Sequence, residues 1–72
     1  MKIKEDRINF EVERIRLQMN KKEFCRVVGI TPKTYNRFLS GDTGIRTQVI
    51  VAAVDLFGKS ADYLLGREGF YS

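Results

Sequence analysis

Apolar residues recur along this chain at three- and four-residue spacings, and the pattern reads as helical throughout. Ile8, Val12, Ile15 and Met19 stand on one face of a first helix. Glu11, Glu13, Arg14 and Arg16 fill its other faces, and Phe10 and Leu17 fall partly off the stripe. The stripe predicts a first helix facing inward along Ile8, Val12, Ile15 and Met19, and the two off-stripe residues point either to burial on two sides or to a helix shorter than the pattern, with residues 1–5 frayed or extended ahead of it. Asn20 then has the form of an N-cap, with Glu23 three residues on to complete a capping box. The second helix is expected over Lys21–Val28, with Phe24, Cys25, Val27 and Val28 inward and Lys21, Lys22 and Arg26 outward. Gly29 suits the left-handed stop.

A proline follows almost at once, in "GITPKTYNRFLSG". Thr31 reads as an N-cap and Pro32 as the first helical residue, where a missing amide hydrogen is no loss and a fixed φ suits the turn. Pro32 therefore starts a third helix, which runs to about Ser40 before Gly41. Tyr35, Phe38 and Leu39 point inward, while Pro32, Lys33, Asn36 and Arg37 share the other side. The loop 42–45 leads to a fourth helix over about Arg46–Phe57. Val49, Ile50, Ala53, Leu56 and Phe57 form its core pattern, and Val51, Ala52 and Val54 widen the apolar face. Ser60 caps a fifth helix, Ala61–Leu65, and Gly66 ends it. The expected architecture is all-α, with five short helices.

The chain has 72 residues. It reads as a single domain over 1–72, with a core at about 8–66, an arm at 1–5 and a tail at 67–72. A core this small is marginal. Cys25 is the lone cysteine and histidine is absent, so the usual activated nucleophiles and imidazole bases are missing. No Gly-rich phosphate loop or metal-ligand cluster stands out. An enzyme is not expected, nor a cofactor or metal. The mixed-charge N-terminus is not a signal peptide and no apolar run is long enough to span a membrane, so the expected place is the cytoplasm.

Charge sharpens the picture. The net charge is +4, and the segment from Asn20 to Arg46 carries it, with six bases (Lys21, Lys22, Arg26, Lys33, Arg37, Arg46) against two acids (Glu23, Asp42). A basic patch confined to one segment is the footprint of an anionic partner, most simply nucleic acid. The bland reading of the same cluster is a solvated face.

Five short helices with a tight Gly-containing turn between the second and third match a helix-turn-helix layout. Here the chain resembles the Cro and lambda-type repressor class, the xenobiotic-response-element family. "KKEFCRVVGIT" resembles that family's second helix and turn, "TYNRFLSG" its recognition helix, and "VIVAAVDLFGKSADYLLG" its last two helices. The closing Ser60–Gly66 is the most specific piece, and the likeness covers about residues 8–66. Lys21 stands where relatives often have Gln, Asp42 where they often have a base, Ile45 where they have Pro, and Pro32 where many have a polar base-reading residue.

The resemblance implies a lambda-repressor-like DNA-binding domain and a sequence-specific transcriptional regulator of double-stranded DNA, of repressor type, that forms a homodimer. Base contacts are expected from Lys33, Asn36, Arg37 and Pro32. Arg37 suits guanine O6 and N7, Lys33 the same acceptors, Asn36 adenine or a phosphate, and Pro32 a thymine methyl. Phosphate contacts are expected from Lys21, Lys22, Thr31, Thr34, Thr43 and Arg46. Lys21 and Lys22 oppose the dipole at the start of the second helix, a placement a nearby phosphate would relieve. A dimer contact is expected through Leu56, Phe57, Phe70 and Tyr71. The competing expectation is a protein-interaction module or an antitoxin-type partner-binding protein on the same fold.

Overall fold

A short 3₁₀ turn, Glu5–Arg7, leads into five helices: α1 Ile8–Arg16, α2 Lys21–Val28, α3 Pro32–Ser40, α4 Thr47–Phe57 and α5 Ala61–Leu64. The computed structural model describes residues 2–67. The local signals act as their chemistry requires. Asn20 accepts from the Glu23 amide at 2.8 Å and Glu23 accepts from the Asn20 amide at 3.1 Å, a complete capping box. Thr31 caps α3 by accepting from the Thr34 amide, and Pro32 takes the first helical position. Gly29 closes α2 at φ 86°, a conformation that costs glycine little.

The core gathers around aromatic rings from four helices. Phe10, Phe24, Tyr35, Phe38, Leu39, Val49, Ala53 and Leu64 are buried together with Cys25 and Val28. Phe10 meets Phe38 edge-on at 5.1 Å, and Phe24 stacks on Phe57 at 5.4 Å. Such pairs add to the burial of their area. Burial also raises the pKa of the Cys25 thiol, which serves as a small core side chain.

The first helix departs from the expected orientation. Ile8, Val12 and Ile15 are 46%, 41% and 61% exposed, whereas Phe10, Glu11 and Glu13 are buried. The reason is hydrogen bonding to two tyrosines. The Tyr35 hydroxyl donates to Glu11 Oε2 at 2.7 Å and the Tyr63 hydroxyl to Glu13 Oε2 at 2.8 Å. Arg14 grips Glu11 with two bonds, Nε to Oε2 at 2.7 Å and Nη2 to Oε1 at 2.9 Å, and its Nη1 donates to the Met19 carbonyl at 2.6 Å. No buried side-chain polar atom among the described residues lacks a partner. A carboxylate satisfied this completely sits in a core without an orphan charge.

Smaller corrections follow the same logic. Val27 is 54% exposed and does not join the core. The arm is extended but docked: Ile3 packs on the core and the Lys4 amide donates to the Leu39 carbonyl at 2.7 Å. Arg46 is the N-cap of α4 rather than its first residue, and α5 ends at Leu64, one residue short of expectation.

Candidate nucleic-acid interface

α2 and α3 meet across the turn Gly29–Thr31, whose tightness comes from the amides of Gly29 and Ile30 both reaching the Cys25 carbonyl, at 2.8 and 3.0 Å. Fully buried Tyr35, Phe38 and Leu39 fix one side of α3 to the core. That leaves Pro32, Lys33 and Arg37 exposed and Asn36 partly so. Lys33 and Arg37 are four residues apart on a helix, so they are neighbours. Among the described residues neither side chain enters an ion pair; the pairs present are Arg7–Asp6, Arg14–Glu11 and Arg16–Glu13. Asp42 is tied to Arg37 only through its amide, which donates to the Arg37 carbonyl at 2.9 Å. The Arg37 fork is therefore available for a bidentate acceptor.

Lys21 and Asn36 are not independent. Lys21 Nζ donates to Asn36 Oδ1 at 2.9 Å, linking the start of α2 to the exposed side of α3. Lys21 also lies close enough to Glu11 to help hold its carboxylate. This answers the unfavourable dipole placement of Lys21 from within the protein, while Lys22 stays exposed with no side-chain partner among the described residues.

The remaining phosphate candidates come together. Thr31, Thr34, Thr43 and Arg46 line one open cleft of about 460 Å³, with Gly29, Ile30, Gly44 and Ile45 completing it. The Thr31 and Thr34 hydroxyls are 3.0 Å apart. α4 is capped by Arg46 without a side-chain hydrogen bond, unlike α2, α3 and α5. The Val49 amide turns instead to the Arg46 carbonyl at 3.0 Å, so only the amides ahead of it in the first turn are open to an anion beside the cleft. Leu56 and Phe57 are half-buried and pack against the core. Phe70 and Tyr71 lie outside the described residues.

Two groups that shape the site were not among the expected residues. Arg7 Nη1 donates to the carbonyls of Phe38 and Thr43, each at 2.7 Å, and its guanidinium lies 4.5 Å from the centre of the Phe38 ring. It ties the end of α3 to the loop that borders the cleft. Glu11 and Arg14 hold Tyr35, and so the buried side of α3. Burial alone would raise the Glu11 pKa, but the hydrogen bonds from Arg14 and Tyr35 and the charges of Arg14 and Lys21 outweigh it and bring the value below the usual one. The only sequence sign of this network was the three-residue spacing of Glu11 and Arg14, which equally fits a solvated surface pair.

The arrangement is that of a helix-turn-helix domain with a basic, exposed third helix. The helix-turn-helix family model matches residues 12–64, and the chain belongs to that family of Cro/lambda type, a family of DNA-binding regulators. No curated protein and no solved structure shows a significant match. No helix among the described residues is long and apolar enough to cross a membrane.

Proposed function

We propose that this protein is a sequence-specific repressor that occupies an operator in double-stranded DNA. The observation that carries the reading is the exposure of Lys33 and Arg37, without an ion pair among the described residues, on the one side of α3 that the core does not use. A helix fits the major groove, and Arg37 bidentate to guanine would supply roughly 1–3 kcal/mol of discrimination. Lys33 would add a second contact to acceptor edges, Asn36 a contact from its amide, and Pro32 an apolar contact with a thymine methyl. Lys22, Thr31, Thr34, Thr43 and Arg46 would hold flanking phosphates, with Lys21 shared between Asn36 and the backbone. Two copies bound to a pseudo-palindrome would place their third helices about one helical turn, roughly 34 Å, apart.

The test is the salt dependence of duplex binding by fluorescence anisotropy. Each neutralised phosphate contributes roughly −0.9 to the slope of log K against log salt. A steep slope, reduced by about 0.9 in Lys22→Ala and again in Arg46→Ala, is expected. A binding constant indifferent to salt would turn the reading toward a protein partner.

A further inference from the structure

The loop between α3 and α4 carries Thr43, and very little holds it. Among the described residues, Thr43, Gly44 and Ile45 form no backbone–backbone hydrogen bond. The Asp42 amide just before them reaches the Arg37 carbonyl, and the Arg46 carbonyl just after them takes the amides of Val49 and Ile50. A Cβ at Gly44 would meet nothing within 4 Å, so no packing secures the chain there. Ile45 packs against the core at the far end of the loop. A segment with so few contacts is the part of a fold that opens most easily.

One side chain from the start of the chain supplies the missing tie. Arg7 Nη1 donates to the carbonyls of Phe38 and Thr43, each at 2.7 Å, and the guanidinium rests 4.5 Å from the centre of the Phe38 ring. Two bonds from one nitrogen fix the distance between the end of α3 and the loop. Arg7 does not line the cleft that gathers Thr31, Thr34, Thr43 and Arg46. It lines a second cleft, with Asp6 and Phe38, and Gly44 and Ile45 border both. The loop is thus the wall between the two clefts, and Arg7 holds it from behind. Only the carbonyl of Thr43 is engaged among the described residues, which leaves its hydroxyl for an anion in the first cleft.

We propose that Arg7 is a positioning residue for DNA binding: it holds Thr43 where the hydroxyl meets a phosphate, without touching the duplex itself. This role rests on the reading of the first cleft as a phosphate site. A residue that acts through another leaves a signature, because two substitutions that remove one shared function do not add.

Duplex binding by fluorescence anisotropy, with Thr43→Val, Arg7→Met and the two combined, tests the role. Thr43→Val removes the hydroxyl and keeps the shape, and should weaken binding about two- to tenfold, the worth of one hydrogen bond. Arg7→Met keeps a stem against Phe38 and should weaken binding by a similar factor. Adding Thr43→Val to it should cost nothing more. The salt slope of Arg7→Met should change by clearly less than the roughly 0.9 that loss of a direct phosphate contact removes. Without DNA, the amide order parameter of Gly44 should fall from roughly 0.85 to below about 0.6 in Arg7→Met. Arg7→Lys, a point charge on a flexible stem, should lose part of both the order and the affinity. Losses that multiply in the double variant, a slope flatter by the full 0.9, or a Gly44 as ordered in the Arg7 variants as in the wild type would each overturn this role alone. A wild type without salt-sensitive duplex binding would overturn the DNA reading and this role with it.

Discussion

The Lys21 ammonium donates to the side-chain oxygen of Asn36 at 2.9 Å, so a residue of α2 sets the pose of a residue on the exposed side of α3. With that oxygen engaged, the Asn36 amide nitrogen has no partner among the described residues and remains a donor for an acceptor edge such as purine N7. Lys21→Met is expected to flatten the salt slope by about 0.9 and also to relax the base preference opposite Asn36. Asn36→Ala is expected to relax the preference with the slope unchanged. Binding to duplexes varied at one position, at several salt concentrations, separates the two effects. Identical behaviour of the two variants would remove Lys21 from the phosphate contacts.

The Glu11 network predicts an acid-sensitive fold. The pKa of Glu11 is lowered on folding, so its contribution is full above the ordinary carboxylate range and is lost as pH falls through the lowered value. Thermal melts from neutral pH downward should show the wild type losing stability below about pH 4, and Glu11→Gln losing less over that interval from a lower starting point. Parallel profiles for the two proteins would place the acid response elsewhere.

Tyr35→Phe removes the hydroxyl that donates to Glu11 and leaves the ring in place. The expected cost is about 1–2 kcal/mol, with the melting temperature falling about 4–8 °C for each kcal/mol. For a domain of this length, whose total stability is about 4–11 kcal/mol, that is a substantial loss. An unchanged melting temperature would mean that water replaces the hydroxyl and that the network adds nothing net.

Two glycines in the same left-handed conformation should behave differently. A side chain at Gly29, φ 86°, would meet nothing within 4 Å, so Gly29→Ala bears only the conformational cost of about 1–2 kcal/mol. A Cβ at Gly66, φ 71°, would come within 2.9 Å of the Asp6 backbone. Gly66→Ala should therefore cost clearly more, read as a lower denaturation midpoint in urea. Equal midpoints would show that the chain end can move away from Asp6 freely.

How much of this was legible in the sequence depended on whether a signal was local. Asn20 with Glu23, Thr31 with Pro32, and the terminal glycines each act within one turn, and the helix boundaries they predict stand within a residue. The sides of α3 were legible because Tyr35, Phe38 and Leu39 have no polar competitor for the core. The side of α1 was not. Its stripe of Ile8, Val12 and Ile15 had the right period, but which face turns inward was decided by Tyr35 and Tyr63, residues 24 and 50 positions away from the carboxylates they bind. Arg7 was missed for the same reason, since its partners are the backbone carbonyls of Phe38 and Thr43, 31 and 36 positions away. The cleft that gathers Thr31, Thr34, Thr43 and Arg46 is equally a product of packing.

The central claim is that the exposed side of α3 reads base edges. It is tested most directly by selecting bound sequences from a pool of random duplexes with the wild type and with Lys33→Ala combined with Arg37→Ala. The wild type is predicted to enrich a defined sequence containing guanine. The double variant is predicted to lose that enrichment by about 2–6 kcal/mol in total while still binding the pool in a salt-sensitive manner. If both proteins enrich the same sequence equally, or if the wild type enriches none, α3 is not the reading helix.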